Sequence, residues 1–242
     1  EHAVMHLLYA RFFCKALYDQ GLVSFEEPYT QLINQGLILG EDGQKMSKSR
    51  GNVINPDVVI EEYGADTLRL YEMFMGPLED MKPWSTQGIK GVRRLIDKVY
   101  AILSKPKVQN PKGEFENKEL EKIVHKTIKK VTQDIEAFKF NTAIAQLMIC
   151  ANELQKKRDT LAEQDYSLVA TQYLRLFAPF APHLAEELWS MHGNSTSIFT
   201  EAWPEYREEL TQDSVLIVPV QINGKVRGQV EVAQDAKQDT VL

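Results

Sequence analysis

The chain has 242 residues, of which 43% are hydrophobic and 26% are charged, a composition typical of ordinary globular proteins. It contains no run of 18 apolar residues, so we expect no membrane-spanning helix and no membrane partner. The net charge of −6 at pH 7 excludes a protein that is basic throughout, although its charge is distributed unevenly.

The first 39 residues predict a helix followed by a short strand. Residues 2–20 are apolar around most of a helical circumference, which predicts a helix buried on more than one side, and Gly21 is a typical helix stop. Residues 37–39 form a short apolar run between two glycines, which predicts a buried strand. Open α/β sheets place their ligands at the carboxyl ends of such strands, so the segment that follows is a candidate site.

Residues 40–52 form a loop that combines three glycines with three cations. Glycine allows the backbone sharp turns, so this segment can open and close. Ammonium groups, hydroxyls and backbone N–H groups suit a polyphosphate, and the loop supplies them through Lys45, Lys48, Arg50, Ser47 and Ser49. The G-x-x-x-x-G-K-[ST] spacing of a P-loop is absent. On composition alone, a solvated surface turn is the alternative.

Capping residues and apolar spacing predict helices over most of residues 55–191. We expect N-caps at Asn55, Ser85, Asn117, Asn141 and Asp165, with helix ends near Gly64, Leu103, Phe138, Leu154 and Phe177. Two further helices are predicted at Ala65–Met75 and His183–Met191, and residues 105–117 read as a linker. Four or more amphipathic helices with short connections predict an antiparallel helical bundle.

The last stretch changes to a strand pattern. Residues 214–232 alternate or run apolar on both sides of Asn223-Gly224, the strongest short-range signal for a β-hairpin. A lone hairpin is marginally stable, and the chain starts at Glu1 rather than Met. We therefore expect part of a longer protein whose small β-containing domain is cut short.

Basic residues are concentrated in one block. Residues 82–130 hold 13 basic and 5 acidic residues, a net charge of +8, whereas residues 1–81 and residues 131–213 each carry −7. Attraction to phosphate is local, because salt screens it within about 10 Å, so a concentrated block favours nucleic-acid contact. A solvated lysine-rich helix face is the alternative.

Cysteine and histidine spacing predicts no metal site. Cys14 and Cys150 lie far apart within predicted helices, which indicates buried thiols in a reducing compartment rather than a disulfide. The five histidines match no metal-binding pattern, and His2 and His6 lack the H-E-x-x-H context.

The string Lys-Met-Ser-Lys-Ser at residues 45–49, with its flanks, resembles the second signature of class I aminoacyl-tRNA synthetases, whose loop closes over ATP. Further stretches are similar, in order, to the leucyl-tRNA synthetase family: residues 1–12, 63–69, 140–145, 176–189 and 220–228. The other class I signature, His-Ile-Gly-His, is absent, as are most of the nucleotide-binding sheet and the editing domain. We therefore expect no complete leucine-activating site within these 242 residues.

The resemblance implies a mainly α-helical chain in three parts. Residues 1–80 would end a Rossmann-like class I catalytic domain, with the signature loop and stem-contact helices. Residues 81–213 would form an antiparallel helical anticodon-binding domain, and residues 214–242 would begin a truncated β-containing domain that binds tRNA. The family also implies a cytoplasmic, monomeric enzyme.

The implied reaction activates leucine with ATP and Mg²⁺ and transfers it to tRNA(Leu), whereas the chain alone should be inactive. Lys48 would be the main catalytic phosphate ligand and Lys45 its helper. Met46 would anchor the loop by packing, Arg50 would be an outer charge, and the loop should be mobile without ATP. The implied ATP-binding set is Glu1, His2, Lys45, Met46, Ser47, Lys48 and Ser49.

For tRNA, the basic block and the hairpin supply the candidates. They are Trp84, Arg93, Arg94, Lys98, Lys126, Lys129, Lys130, Lys225 and Arg227. Trp84 has two interpretations, a base-stacking side chain or a plug at the domain junction, and we favour the plug.

Three alternatives stay open at this point. A valyl-, isoleucyl- or methionyl-tRNA synthetase would share the loop and the helical domain. The chain alone would also suit a non-catalytic tRNA-binding module. A purely structural helical bundle is the third alternative, although it leaves the order of the matching stretches unexplained.

Overall fold

A computed structural model describes residues 2–104, 113–212, 215–222 and 225–233, with side chains described for residues 4–104 and 113–212. A seven-residue π-helix (His2–Leu8) precedes α1 (Tyr9–Asp19). The other α-helices are α2 (Pro56–Tyr63), α3 (Ala65–Phe74), α4 (Thr86–Leu103), α5 (Lys118–Glu136), α6 (Phe140–Lys157), α7 (Glu163–Phe177) and α8 (Pro182–Met191). The strands are β1 (Ile38–Leu39), β2 (Lys82–Pro83), β3 (Val215–Ile222) and β4 (Lys225–Ala233). Within these described segments, no helix is both long and apolar enough to cross a bilayer.

The chain forms two compact units, residues 1–36 and residues 37–242. In the first, the predicted helix is confirmed and ends before Gly21, which adopts φ +69°. The prediction of extensive burial is wrong, because Phe12 and Phe13 are about two-thirds exposed and Cys14 is the buried side chain of α1. Polar contacts help to join α1 to the segment after it, since Arg11 donates two hydrogen bonds of 2.7 Å to Glu27. These contacts hold the pKa of Glu27 at about 2.

The second unit begins with a short parallel strand pair. Ile38 lies opposite Lys82 and Leu39 opposite Pro83. The predicted strand at residues 37–39 is therefore confirmed, although it is half-buried rather than buried. Its pairing with β2 joins the start of the signature loop to the segment that enters α4.

The helices of the second unit enclose one apolar core. Helix α6 packs against α3, α4 and α5, while α7 contacts α5 and α8. The largest fully buried side chains come from all of these elements and from the α7–α8 turn: Leu70, Ile89, Leu103, Leu120, Ile128, Ile144, Leu147, Leu174, Leu176, Phe177, Phe180 and Leu188. Cys150 lies in this core as a free thiol, and burial raises its pKa to about 12.

Three predicted N-caps are confirmed. The Asn55 side chain accepts the Asp57 N–H at 3.0 Å, Ser85 accepts the Gly88 N–H at 3.3 Å, and Asn117 accepts the Leu120 N–H at 3.0 Å. Each satisfies a backbone donor that a helix start leaves without an intrahelical partner. Pro56 at the first position of α2 and Gly64 at its end also match the prediction.

Two predicted N-caps are wrong. Helix α6 starts one residue before Asn141, because Phe138 adopts a left-handed φ of +56° and redirects the chain. Helix α7 starts before Asp165, whose carboxylate instead accepts the N–H groups of Glu116 (2.8 Å) and Asn117 (3.0 Å). Asp165 therefore holds the start of α5.

The C-terminal strands β3 and β4 pair antiparallel, from Val215 opposite Ala233 to Ile222 opposite Lys225. The predicted strands are confirmed. The register shifts between Val220 and Gln221, which marks a β-bulge or similar irregularity. The predicted Asn223-Gly224 turn and linker residues 105–112 lie outside the described residues.

Candidate active-site loop and nucleic-acid surface

The signature loop, residues 40–52, begins as a tight backbone turn. The Gly43 N–H donates to the Gly40 carbonyl and the Gly40 N–H donates to the Gln44 carbonyl, both at 2.9 Å. Gly43 adopts φ +70°, a conformation that costs glycine little. Lys45 then pairs antiparallel with Leu39, so the loop returns alongside its own strand.

Asn52 closes the signature loop with its side-chain amide. Its Oδ1 accepts the Ser47 N–H at 2.9 Å, and its Nδ2 donates to both carboxylate oxygens of Asp42 at 3.1 Å. The backbone N–H of Gln44 and the Asn52 amide lower the pKa of Asp42, so this carboxylate stays ionised at neutral pH. Together these contacts join the two ends of the loop across its lysines.

Gly40 is required by the same contacts. A Cβ at this position would lie 2.7 Å from Asp42 Oδ1 and 2.9 Å from Asn52 Nδ2. Any side chain at residue 40 therefore displaces the Asp42–Asn52 pair.

The lysines of the loop point outward from this frame. Lys48 opens a short 3₁₀ helix, Lys48–Arg50, while Ser47 Oγ and Ser49 Oγ lie 2.7 Å apart. Lys45 and Lys48 are both exposed, and within the described residues neither ammonium group has a hydrogen-bond or ion-pair partner. Residues 45–49 thus carry two unpaired ammonium groups and two hydroxyls, which are groups that can bind an anion.

Met46 and Arg50 behave differently from the lysines. Met46 is half-buried and packs against the apolar core, as expected for an anchor. Arg50 makes a long hydrogen bond of 3.4 Å to Gln44 Oε1, so it is directed back onto the loop.

Trp84 lies at the junction between β2 and α4. Its side chain is only 6% exposed and packs edge-to-face on Tyr71, with ring centroids 5.0 Å apart. This burial favours the packing interpretation over base stacking, which requires an accessible ring face.

The predicted tRNA contacts on α4 and α5 are mostly engaged with protein groups. Arg93 donates to the Tyr63 carbonyl at 2.9 Å and pairs with Asp97, and Lys98 donates to Asn152. Lys130 pairs with Asp134 at 2.7 Å. Arg94 is exposed, and no described residue forms a hydrogen bond or ion pair with it.

The acidic segment of residues 203–211 lies along α5 and engages Lys129. Glu208 pairs with Lys129, Arg207 pairs with the buried Glu121, and the Trp203 indole donates to Thr132 Oγ1 at 2.8 Å. The candidate surface on α5 is therefore partly covered by the chain itself.

Some predicted site residues lie outside what the structure describes. Glu1 and the side chains of Lys225 and Arg227 are among them, and His2 is described only as backbone in the π-helix. Within residues 4–104 and 113–212, no group of three or more His, Cys, Asp or Glu side chains is placed to hold a metal ion.

Comparison with known protein families identifies the family to which the chain belongs. The model for the anticodon-binding domain of tRNA ligases matches residues 117–242, more than half of the chain. The chain belongs to this family. A second model, for class I tRNA synthetases of the isoleucine, leucine, methionine and valine type, matches residues 10–83. The mainly helical fold expected from the sequence, with a class I catalytic end and an anticodon-binding domain, is thereby confirmed.

Curated relatives of this chain include leucine–tRNA ligases of Herpetosiphon aurantiacus, Chlorobium limicola and Chlorobaculum parvum. Each is 49% identical over the whole chain. The chain spans 30% of their length. The predicted resemblance to leucyl-tRNA synthetases is therefore confirmed.

A solved structure is also similar to this chain. It is the ternary complex of Agrobacterium radiobacter K84 agnB2 LeuRS with tRNA and LeuAMS. The TM-score is 0.77 at 35% identity, over 99% of this chain and 33% of that one.

Sequence reasoning missed Asp42 and Asn52 as the residues that close the loop. The Asp-Gly and Gly-Asn pairs in the loop are turn signals that could have indicated them. It also missed Glu41, which contacts Thr86, and no local signal links residues 45 positions apart.

Proposed function

We propose that this chain is part of a leucine–tRNA ligase, to which it contributes the signature loop and a surface for tRNA. The reaction joins leucine and ATP into leucyl-adenylate and pyrophosphate, and then transfers the leucyl group to tRNA(Leu). Identity of 49% to leucine–tRNA ligases supports leucine over valine, isoleucine or methionine as the substrate.

One observation supports the proposed role of the signature loop in binding ATP. Lys45 and Lys48 are exposed on a loop whose frame is fixed by Asn52, and no described group neutralises their ammonium charges. An unpaired ammonium on a positioned backbone suits the phosphates of ATP, because charge that is held in place needs little reorganisation when the ligand arrives.

During adenylate formation, negative charge grows on the α-phosphate and on the departing pyrophosphate. We propose that Lys48 stabilises this charge directly and that Lys45 assists it, while Ser47 and Ser49 shape the loop. One positioned donor of this kind contributes about 2.7–4 kcal/mol to transition-state stabilisation. Glu1 and His2 are proposed contacts to the ATP ribose.

Magnesium belongs to the nucleotide in this proposal. The described side chains provide no grouped ligands for a resident ion, whereas Mg²⁺ is commonly held through substrate phosphates with few protein ligands. Lys45 and Lys48 would then share the neutralisation of phosphate charge with that ion.

The finer architecture is proposed on the same basis. Residues 1–80 end the catalytic domain, and residues 81–213 form an antiparallel anticodon-binding bundle. Residues 214–242 belong to a β-containing tRNA-binding domain. The exposed Arg94 is the best-supported tRNA contact, followed by Arg93, Lys98, Lys126, Lys129 and Lys130, with Lys225 and Arg227 on the hairpin. The enzyme is proposed to act as a monomer in the cytoplasm.

Leucine-dependent exchange of pyrophosphate into ATP tests this function in a protein that contains the chain at the length of its relatives. We expect exchange with leucine and little with valine, isoleucine or methionine. Exchange driven preferentially by one of those amino acids would overturn the leucine assignment.

A second candidate applies to the 242 residues alone, because they span only 30% of the relatives' length. On that basis the chain by itself is a non-catalytic tRNA-binding module. Salt-dependent tRNA binding without ATP–pyrophosphate exchange is the expected result. Exchange catalysed by the 242 residues alone would exclude this candidate.

A further inference from the structure

Glu41 joins the signature loop to the first turn of α4. Its Oε1 accepts the Thr86 hydroxyl at 2.6 Å and the Thr86 backbone N–H at 3.1 Å. The two bonds lower the pKa of Glu41, the hydroxyl contributing more, so the carboxylate is ionised at neutral pH. A carboxylate at this end of a helix also interacts favourably with the helix dipole.

The start of α4 is a firm attachment point. The Trp84 N–H donates to the Leu39 carbonyl at 2.9 Å, and the Ser85 N–H donates to the Tyr71 hydroxyl at 2.9 Å. Trp84 and Tyr71 are both buried and pack against each other. Thr86 therefore belongs to a packed junction, while Glu41 belongs to an exposed loop.

A continuous set of contacts leads from this junction to the lysines. Glu41 is bonded covalently to Asp42, the Asp42 carboxylate receives the Asn52 amide, and Asn52 Oδ1 receives the Ser47 N–H. Ser47 lies between the two lysines in sequence and is adjacent to Lys48. A shift of Glu41 is therefore transmitted to the segment that carries Lys45 and Lys48.

We propose that Glu41 is a positioning residue for the reaction, which fixes the loop lysines relative to α4 through its two hydrogen bonds to Thr86. The proposal rests on the proposed function, because the lysines act on ATP only in such an enzyme. Glu41 itself touches no reacting atom; it holds the loop in the geometry that the transition state needs. Misplacement by about 1 Å can cost about 100-fold in rate.

The test uses the enzyme that contains this chain at full length and measures leucine-dependent ATP–pyrophosphate exchange. Glu41→Ala removes both hydrogen bonds, and we expect kcat to fall about 10- to 100-fold while the KM for leucine changes less than about twofold. Glu41→Gln keeps an acceptor oxygen for both donors, so we expect it to retain most of the activity. Thr86→Ser should likewise behave as wild type, and Thr86→Val should lose activity.

Glu61→Ala is the matched control. Glu61 is an exposed glutamate on α2 with no hydrogen-bond or ion-pair partner in the described parts of the chain, so wild-type kcat is expected. Thermal unfolding of every variant separates positioning from folding. Loss of kcat in Glu41→Ala at an unchanged unfolding temperature, with recovery in Glu41→Gln, supports the proposal.

Wild-type kcat in Glu41→Ala would overturn the proposal, as would an equal loss of kcat in Glu41→Gln and Glu41→Ala. A fall in kcat that merely follows a fall in unfolding temperature would also count against positioning. If the wild-type enzyme activates valine, isoleucine or methionine instead, the leucine assignment fails. The kcat values of the same variants are then compared with that amino acid as the substrate. A failure of the leucine assignment is thereby distinguished from a failure of the proposal for Glu41.

Discussion

The signature loop and the basic block of α4 and α5 both carry positive charge, but they hold it differently. In the loop, Asp42 is engaged by the Asn52 amide and the Gln44 N–H, and neither Lys45 nor Lys48 has a carboxylate partner among the described residues. In the helices, carboxylates pair directly with cations, as Asp134 does with Lys130 and Glu208 with Lys129.

The comparison shows that charge count is a poor guide to a binding site. A lysine paired with a carboxylate must give up that partner before it binds phosphate, whereas an unpaired lysine loses only water. Two basic residues of the loop, Lys45 and Lys48, are unpaired in the described part of the chain. In the larger basic block, Arg94 is the clearest example of an unpaired basic residue. The strongest dependence on single residues is therefore expected in the loop.

The largest expected effect comes from Lys48→Ala in the full-length enzyme. Adenylate formation should slow by about 100- to 1,000-fold, because a positioned charge at the transition state is lost, while leucine binding stays nearly unchanged. Single-turnover activation kinetics measure the rate. Arg50→Ala is the control within the same loop and should have a much smaller effect, since Arg50 is directed onto Gln44. Wild-type activation kinetics in Lys48→Ala would show that Lys48 does not stabilise the transition state of adenylate formation.

Asn52→Ala should lower kcat roughly tenfold, less than Lys48→Ala lowers the rate of adenylate formation. It removes the acceptor for the Ser47 N–H and the donor to Asp42, while the lysines themselves are unchanged. Steady-state exchange kinetics measure this loss.

Asn52→Asp separates the two functions of the Asn52 side chain. An aspartate can still accept from Ser47 but places a second carboxylate beside Asp42, so we expect it to be no better than Asn52→Ala. Full activity in Asn52→Asp would show that the contact to Asp42 is unimportant.

Contacts between residues that are close in the sequence could be predicted from the sequence alone. Caps such as Ser85 and Asn117 could be predicted because each depends on residues within one helical turn. The strand and the hairpin strands followed from apolar runs in the same way.

Contacts between distant segments could not be predicted. Glu41 meets Thr86 45 residues away, Asp165 meets Asn117 48 residues away, and Arg207 meets Glu121 86 residues away. Such pairs are set by how the helices pack, which a single sequence does not display. Asp165 also shows why a local sequence pattern can mislead. It is a residue typical of an N-cap, but its carboxylate accepts hydrogen bonds from the segment that starts α5.

On the helical surface, pairing should determine which residues contribute to tRNA binding. Arg94→Ala should weaken tRNA binding a few-fold and reduce the slope of log affinity against log salt by about one, as expected for one lost phosphate contact. Lys129→Ala should change the slope less, since Glu208 already pairs with Lys129. A salt titration of tRNA binding measures both, and equal slopes for the two variants would contradict the comparison.

Glu208→Gln tests the same point in the opposite direction. It removes the carboxylate charge from Lys129 and should therefore strengthen tRNA binding up to a few-fold at low salt. Glu205→Gln is the matched control, because Glu205 is an exposed glutamate of the same acidic stretch with no partner within the described chain. Unchanged affinity in Glu208→Gln would mean that α5 does not meet tRNA at Lys129.

The smallest expected effect concerns the attachment of residues 203–211 to α5 through His125. The Arg207 N–H donates to His125 Nδ1 at 3.1 Å, which requires the unprotonated nitrogen. Burial, and next the Arg207 guanidinium, lower the pKa of His125, against smaller opposing contributions from Glu121 and Glu209. A lowered pKa in the folded state means that this contact stabilises above about pH 6.5 and is lost as the pH falls toward the folded-state pKa.

His125→Asn keeps an acceptor near the position of Nδ1 but cannot titrate in this range. Between pH 7.5 and pH 5.5 we therefore expect its unfolding temperature to fall less than that of the wild type, with a difference of a few degrees at most because His125 is only half-buried. Thermal unfolding at the two pH values measures the difference. If the unfolding temperatures of the two proteins depend identically on pH, His125 is not the source of the acid sensitivity. The acidic segment is then held on α5 by Glu208 and Arg207 without help from His125.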